Sequence, residues 1–231
     1  MELGPDLVGR IAQDRTIRLV ATARLRDPVL LKLVAADRLG DLAEIEGATS
    51  GRRRAQERGA DQLDPRELVF AIPHAYFINA AFSYWRPKEL NRFNGPGRGA
   101  WYAALELETA IAEVAFHMTR ELANVADFNT SVDYSEMFAS FVGSFVDVRK
   151  VDPLPDFLHP DPEVSYRPGN AFASVVRAGG HLGILYPSAR REGGSCIVAL
   201  IPNAVQAVAQ GRCIRLQWAG SKDPEVSVVA G

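Results

Sequence analysis

Four small groups of residues could carry chemistry. The first is a loop, Arg92, Phe93, Asn94, Gly95, Gly97, Arg98, Gly99, where glycines let backbone N–H groups approach a ligand and two guanidinium forks suit phosphate oxygens. No Gly-Lys-Ser or Gly-Lys-Thr follows, and the glycines lack dinucleotide-fingerprint spacing, so neither nucleotide loop is indicated. The second is Glu113 with His117, four apart and therefore neighbours on one helix face. A metal needs a third ligand, and E-x-x-x-H is not H-E-x-x-H, so no metal is assigned. The third is Tyr186, Pro187, Ser188, Ala189, Arg190 at a strand end, without the G-x-S-x-G elbow of a serine hydrolase. The fourth is the aromatic set Tyr76, Tyr84, Trp85, Phe93 and Tyr102. Taken singly, each group also reads as something ordinary: a surface turn, a solvated helix face with weak ion pairs, a strand terminus, a core.

The elements that must position these groups follow from periodicity. Ile111, Val114, Ala115, Met118 and Leu122 recur at helical spacing and predict a helix from about Glu108 to Ala123, with Glu113, His117 and Arg120 on the other side. Ala110, Ala112, Ala115 and Phe116 surround Glu113 with apolar neighbours, an environment in which a carboxylate calls for a purpose. Strands are expected at 68–72, 100–105, 138–149, 182–188, 196–201 and 213–218, with a hairpin turn at 191–194. The five prolines between 151 and 168 predict a long loop, after which Gly169 and Asn170, the latter as N-cap, open a helix through Ala178. Residues 1–48 read as short helices, with Leu19, Leu25, Val29, Leu30, Leu33, Val34, Leu39, Leu42 and Ile45 spaced mostly by three or four, and 51–67 as a solvated linker whose Arg52, Arg53, Arg54 run is given no function.

Composition narrows the class. The 231 residues are 47% hydrophobic, enough for a sizeable core, and 26 basic residues against 28 acidic ones leave a net charge of −2. Direct binding to nucleic acid is disfavoured, because any basic site must be local rather than spread over the surface. Two cysteines, no long apolar run and no secretory leader pattern lead us to expect a cytoplasmic protein without a membrane segment.

Together the groups are more specific than singly. The run NRFNGPGRGAWYAALELETAIAEVAFHMTREL, from Asn91 to Leu122, resembles the RES-domain family of bacterial toxins: an Arg-Phe-Asn loop, a Tyr in the next strand and a Glu eleven residues later. Downstream, GGHLGILYPSARREGGSCIVALIP resembles the family's closing strand, serine and hairpin. The resemblance implies an α+β fold with a mixed β-sheet core like that of diphtheria-type ADP-ribosyltransferases and flanking helices. It implies a division into a helical N-terminal extension and linker at 1–65, a RES domain at 66–220 and a C-terminal tail at 221–231.

It further implies a toxin of a type II toxin-antitoxin system that uses NAD+ as substrate, most readily as a mono-ADP-ribosyltransferase acting on a cellular protein. The alternatives are an NAD+ glycohydrolase or phosphorylase, or a non-catalytic nucleotide-binding domain. The expected partners are a helix-turn-helix antitoxin and the modified protein. Carried onto this chain, the catalytic residues are Glu113, Arg92 and Tyr102, and the cofactor contacts are Arg92, Asn94, Tyr102 and Ser188. Many relatives carry another arginine about twenty residues before the loop arginine, where this chain has Ile72, Pro73 and His74, so His74 or Arg86 is expected in its place. Cleavage at the nicotinamide-ribose bond develops oxocarbenium character, which a carboxylate such as Glu113 stabilises while arginines hold the pyrophosphate.

Overall fold

The computed structural model describes residues 4–24, 63–85 and 88–229. Among the described residues, seven strands and three α-helices form an α+β fold: β1 (Val8–Ala21), α1 (Ala75–Ser83), β2 (Trp101–Ala104), α2 (Leu107–Val125), β3 (Asn129–Asp147), α3 (Pro162–Ala178), β4 (Gly183–Pro187), β5 (Ser195–Ala199), β6 (Gln206–Ala219) and β7 (Glu225–Val229). The sheet is mixed, in the order β1-β2-β5-β4-β3-β6-β7, with β1 also paired along β3. Among the described strands only β3 and β4 run parallel, joined through α3, which supplies the crossover such a pair requires.

Alternate residues of the central strands feed two cores, as a sheet covered on both faces demands. Tyr102 and Ala104, Ile184 and Tyr186, Cys196 and Val198 face one core, which also takes the stripe Ile111, Val114, Ala115, Met118 and Leu122 of α2 together with Phe172 and Val176 of α3. Trp101 and Ala103, Leu185, Ile197 and Ala199 face the other, which α1 covers with Ile78 and Phe82. The stripe read from the sequence is therefore the packing face of α2, and Trp218 Nε1 fastens it by donating to Thr119 Oγ1 at 3.0 Å.

Four expectations are corrected. Residues 8–21 form a strand rather than a helix: Ile17 and Leu19 enter the first core, Ile11 and Val20 the second, and the backbone pairs with β3 from Val8↔Val146 to Ala21↔Tyr134. The remaining helices expected before residue 48 lie outside the described residues. At 68–72 no strand forms, because the Asn79 side chain of α1 takes up both backbone groups of Val69, accepting from its N at 3.0 Å and donating to its O at 2.7 Å. The helix expected from Gly169 begins seven residues earlier: Asp161 caps it by accepting from Glu163 N at 2.9 Å, Pro162 stands where a missing N–H costs nothing, and the helix continues through Pro168. Asn170 is thus inside the helix, where its amide donates to Asn91 O and Tyr166 O. Finally, the expected polar tail contains β7, paired with β6 from Cys213↔Val229 to Gln217↔Glu225.

Candidate functional site

The Arg92 loop, α2, the turn after β4 and the segment leading into α3 meet on the first-core face of the sheet. Glu113 of α2 lies where they meet. Ser188 Oγ donates to its Oε1 at 2.7 Å, and the Cys196 thiol lies 3.8 Å from the same oxygen. Burial raises the Cys196 thiol above its ordinary range, with the Glu113 charge adding to the effect, so the sulfur stays protonated and can donate. Ser188 Oγ in turn accepts from Arg190 N at 3.0 Å and Arg191 N at 3.1 Å. A hydroxyl has one proton and two lone pairs, so all three are committed: Ser188 aims Glu113 and has no lone pair left for nucleophilic attack.

The turn holding Ser188 is itself anchored to the start of α2. Arg191 NH1 donates to Thr109 Oγ1 at 3.2 Å, and Thr109 Oγ1 donates to Glu106 Oε2 at 2.7 Å. Ser188 and Glu113, 75 residues apart in sequence, therefore keep a fixed separation.

Arg92 is 9% exposed, and its NH1 donates to the carbonyls of Phe157 at 2.8 Å and His159 at 3.0 Å. It gets this close to α3 because Gly169 has no side chain: a Cβ there would lie 2.0 Å from Arg92 O. Tyr102 OH accepts from Phe93 N at 2.9 Å and donates to Asn94 Oδ1 at 2.8 Å, while Asn94 Nδ2 donates to Arg98 O at 3.1 Å. Tyr102 and Asn94 thus build the Arg-Phe-Asn loop from within, and both ends of the Asn94 amide are engaged there. Burial drives the Tyr102 phenol well above its usual range, so it stays a neutral donor.

Arg98 does different work from Arg92. It is 4% exposed, forms an ion pair with Glu67 and donates from Nε at 3.1 Å and NH2 at 2.8 Å to Leu200 O. The two arginines of the loop therefore separate into one at the site and one stapling the loop to the residues before α1 and after β5. His74 lies at the start of α1 with positive φ and stacks on Phe77, a residue packed against the second core, so the structure does not bring it to Glu113. Arg86 lies outside the described residues.

The structure gives surroundings to residues that the sequence motifs named without a role. Arg190 places its guanidinium carbon 3.3 Å from the centre of the Phe116 ring and donates from NH2 to Pro160 O at 2.7 Å. Arg120 lies 5.9 Å from the same ring and Arg92 6.0 Å from that of Tyr166. His117 is pushed down to about 4, by its crowded surroundings first and then by Arg190, Arg120 and Arg92. Because one side of His117 is exposed, water softens the desolvation, and repulsion by the three cations remains the firmer cause. Arg190 was visible in the sequence only as the last residue of the Ser188 group, and Phe116 only as an apolar neighbour of Glu113.

A family model described as the RES domain matches residues 68–219, about two thirds of the chain. The chain belongs to the RES-domain family. The RES match covers every element of the site, from the Arg92 loop to the Ser188 turn, but begins after β1 and ends before β7, so two strands of the sheet come from outside the matched region. No match to a curated protein is found. Among the described residues the RES domain gathers no set of three or more His, Cys, Asp or Glu side chains of the kind that holds a metal ion, and no helix is long and apolar enough to cross a membrane.

Proposed function

We propose that this RES-domain protein cleaves the nicotinamide-ribose bond of NAD+ and transfers the ADP-ribosyl group to a side chain of a cellular protein, as the toxin of a toxin-antitoxin pair whose helix-turn-helix antitoxin restrains it. The observation that carries the reading is the Glu113 carboxylate held by the Ser188 hydroxyl at 2.7 Å, within electrostatic reach of the Arg190 guanidinium. A fixed carboxylate accepts a hydrogen bond from a ribose hydroxyl and stabilises positive charge developing at the anomeric carbon, and in a partly desolvated cleft that stabilisation is stronger than in water. The bond pair passes to the pyridinium nitrogen, nicotinamide leaves neutral, and no general acid is needed. The acceptor supplies the new pair to the anomeric carbon and loses its proton.

Arg92 suits the phosphate side of the substrate, because its guanidinium is preorganised by two carbonyls and keeps further N–H groups for charge-assisted bonds. Tyr102 supports this reading by fixing the loop that carries Arg92. The test is incubation of the purified protein with NAD+ in a cell extract, followed by mass spectrometry. Nicotinamide release together with a protein mass increase of one ADP-ribosyl group is expected, and Glu113→Ala is expected to abolish both. Free ADP-ribose or a phosphorylated ADP-ribose without protein modification would instead identify water or phosphate as the acceptor, and no nicotinamide release at all would refute the reaction.

A further inference from the structure

Further along α3, beyond Tyr166, the helix and the loop after Arg92 enclose a second pocket, of about 290 Å³. Asn170, Ala171, Ser174 and Arg177 line it from the helix, Gly95 and Pro96 from the loop. Arg177 follows Tyr166 by three turns, roughly 16 Å along a helix axis. Different charges act at the two positions: Arg92, Arg120, Arg190 and Glu113 on Tyr166, but Arg98 and Glu67 on Arg177. The pocket is therefore distinct from the surroundings of Glu113. Its volume lies at the lower end of the range for ligand sites, ~300–1,000 Å³, and suits a molecule of amino-acid size rather than a dinucleotide.

Three side chains on its helix wall are held in place with bonding capacity unused. Both N–H groups of the Asn170 amide are engaged, donating to Asn91 O at 2.7 Å and Tyr166 O at 2.8 Å, so the amide cannot turn. Its Oδ1 is left on the side of Gly95, where a Cβ would come within 3.0 Å of it, and it accepts no hydrogen bond from a described residue. Ser174 Oγ spends its proton on Asn170 O at 3.1 Å and keeps its lone pairs. Among the described residues Arg177 has neither a hydrogen bond nor an ion pair, and Glu67, whose charge it feels, gives both carboxylate oxygens to Arg98. Burial first and the Arg98 charge second lower the proton affinity of Arg177, and Glu67 restores part of it. Asn170 and Arg177 are half-buried and Ser174 is exposed, so a ligand can reach all three. Spaced by four and three residues, they share one face of α3 and present two neutral acceptors and then a cationic fork, at rises of roughly 6 and 4.5 Å.

We propose that this pocket binds a small amino carboxylate, its carboxylate on the Arg177 guanidinium and its ammonium on the oxygens of Asn170 and Ser174. A plain anion would leave both acceptors unmet, and a plain amine would be repelled by Arg177. A molecule with both groups a few bonds apart matches the whole row. The inference goes beyond the NAD+ reading and does not depend on it.

Ligand-observed NMR titration of the full chain with γ-aminobutyrate, butyrate and butylamine tests it, the last two each lacking one of the charged groups. Wild-type protein is expected to bind γ-aminobutyrate at least about tenfold more tightly than either, the worth of one hydrogen bond to a charged group. Arg177→Gln is expected to weaken γ-aminobutyrate binding by a similar factor while leaving the thermal melt unchanged. Ala171→Phe, which keeps every polar group and fills the pocket from an exposed position, is expected to abolish binding. No binding of γ-aminobutyrate to wild type overturns the proposal, as does butyrate or butylamine binding equally well, or an affinity unchanged in Arg177→Gln. If thermal melting shows that Arg177→Gln does not fold, Ala171→Phe decides, and unchanged affinity in that variant overturns the proposal.

Discussion

Replacing Ser188 by Ala separates a residue that acts on the substrate from one that acts through Glu113. The change removes three hydrogen bonds: one donated to Glu113 Oε1 and two accepted from Arg190 N and Arg191 N. A hydrogen bond to a charged group is worth about 1.5–3 kcal/mol. If that orientation is needed at the transition state, and each ~1.4 kcal/mol is a factor of ten, kcat falls roughly tenfold to one hundredfold. The loss stops there because the Cys196 thiol still contacts the same oxygen. The two freed N–H groups sit in a partly buried turn where water recovers some of their bonding, so stability drops by about 1–2 kcal/mol. The assay is nicotinamide release at saturating NAD+ alongside a thermal melt. The decisive comparison is the double variant Ser188→Ala with Glu113→Ala. If Ser188 works through Glu113, the double variant is no slower than Glu113→Ala alone, since the effects of coupled residues do not add. Multiplying effects, or a Ser188→Ala rate within threefold of wild type, would refute the reasoning.

Gly169→Ala places a Cβ 2.0 Å from Arg92 O, so α3 or the Arg92 loop must move. Overpacking costs about 1–3 kcal/mol and outweighs the ~1 kcal/mol gained in helix propensity, so the melting temperature and nicotinamide release should both fall. Tyr102→Phe removes the bonds to Phe93 N and Asn94 Oδ1, and calorimetry should show weaker ADP-ribose binding with a stability loss of about 1–2 kcal/mol. His117 takes a proton near pH 6.5 when unfolded but only near 4 when folded, so the unfolded state binds the extra proton between these values and stability declines as pH drops through that window. Exposure of the side chain limits the effect to about 1 kcal/mol, and His117→Gln should flatten that part of a denaturation-against-pH curve.

The parts of this molecule readable from its sequence are those whose evidence is local. The α2 stripe, the hairpin between β4 and β5 and the spacing of Arg92, Tyr102 and Glu113 all depend on neighbours within about twenty residues. Ser188 could be singled out, but its bond to Glu113 is made across the fold. Other features were misread because a distant partner decides them. In β1 both faces are covered, so Ile11, Ile17, Leu19 and Val20 show no clean alternation, and the pairing strand lies more than a hundred residues away. Arg98 has the same local surroundings as Arg92, and only Glu67 and Leu200 O assign it a structural role. Pro168 and Gly169 look like helix breakers. The Asp161 cap shows where the helix starts, and the close approach of Arg92 O shows why a glycine follows the proline.

The pairing of β1 with β3 also sets an order of events during synthesis. Thr16 Oγ1 donates to Ala139 O across 123 residues at 2.9 Å. At ~5–20 residues per second, the first strand to leave the ribosome waits roughly 6–25 seconds for its partner. Ser188 emerges later still, after β3 is complete. Glu113 therefore exists on a nascent chain before the hydroxyl that aims it, and a ribosome carrying an unfinished copy holds no assembled site. On the proposed reading, chains cut short before residue 188 would be inert toward NAD+, and β1, left without β3 in any chain ending before residue 129, would present an edge unpaired by β3 to whatever first meets it.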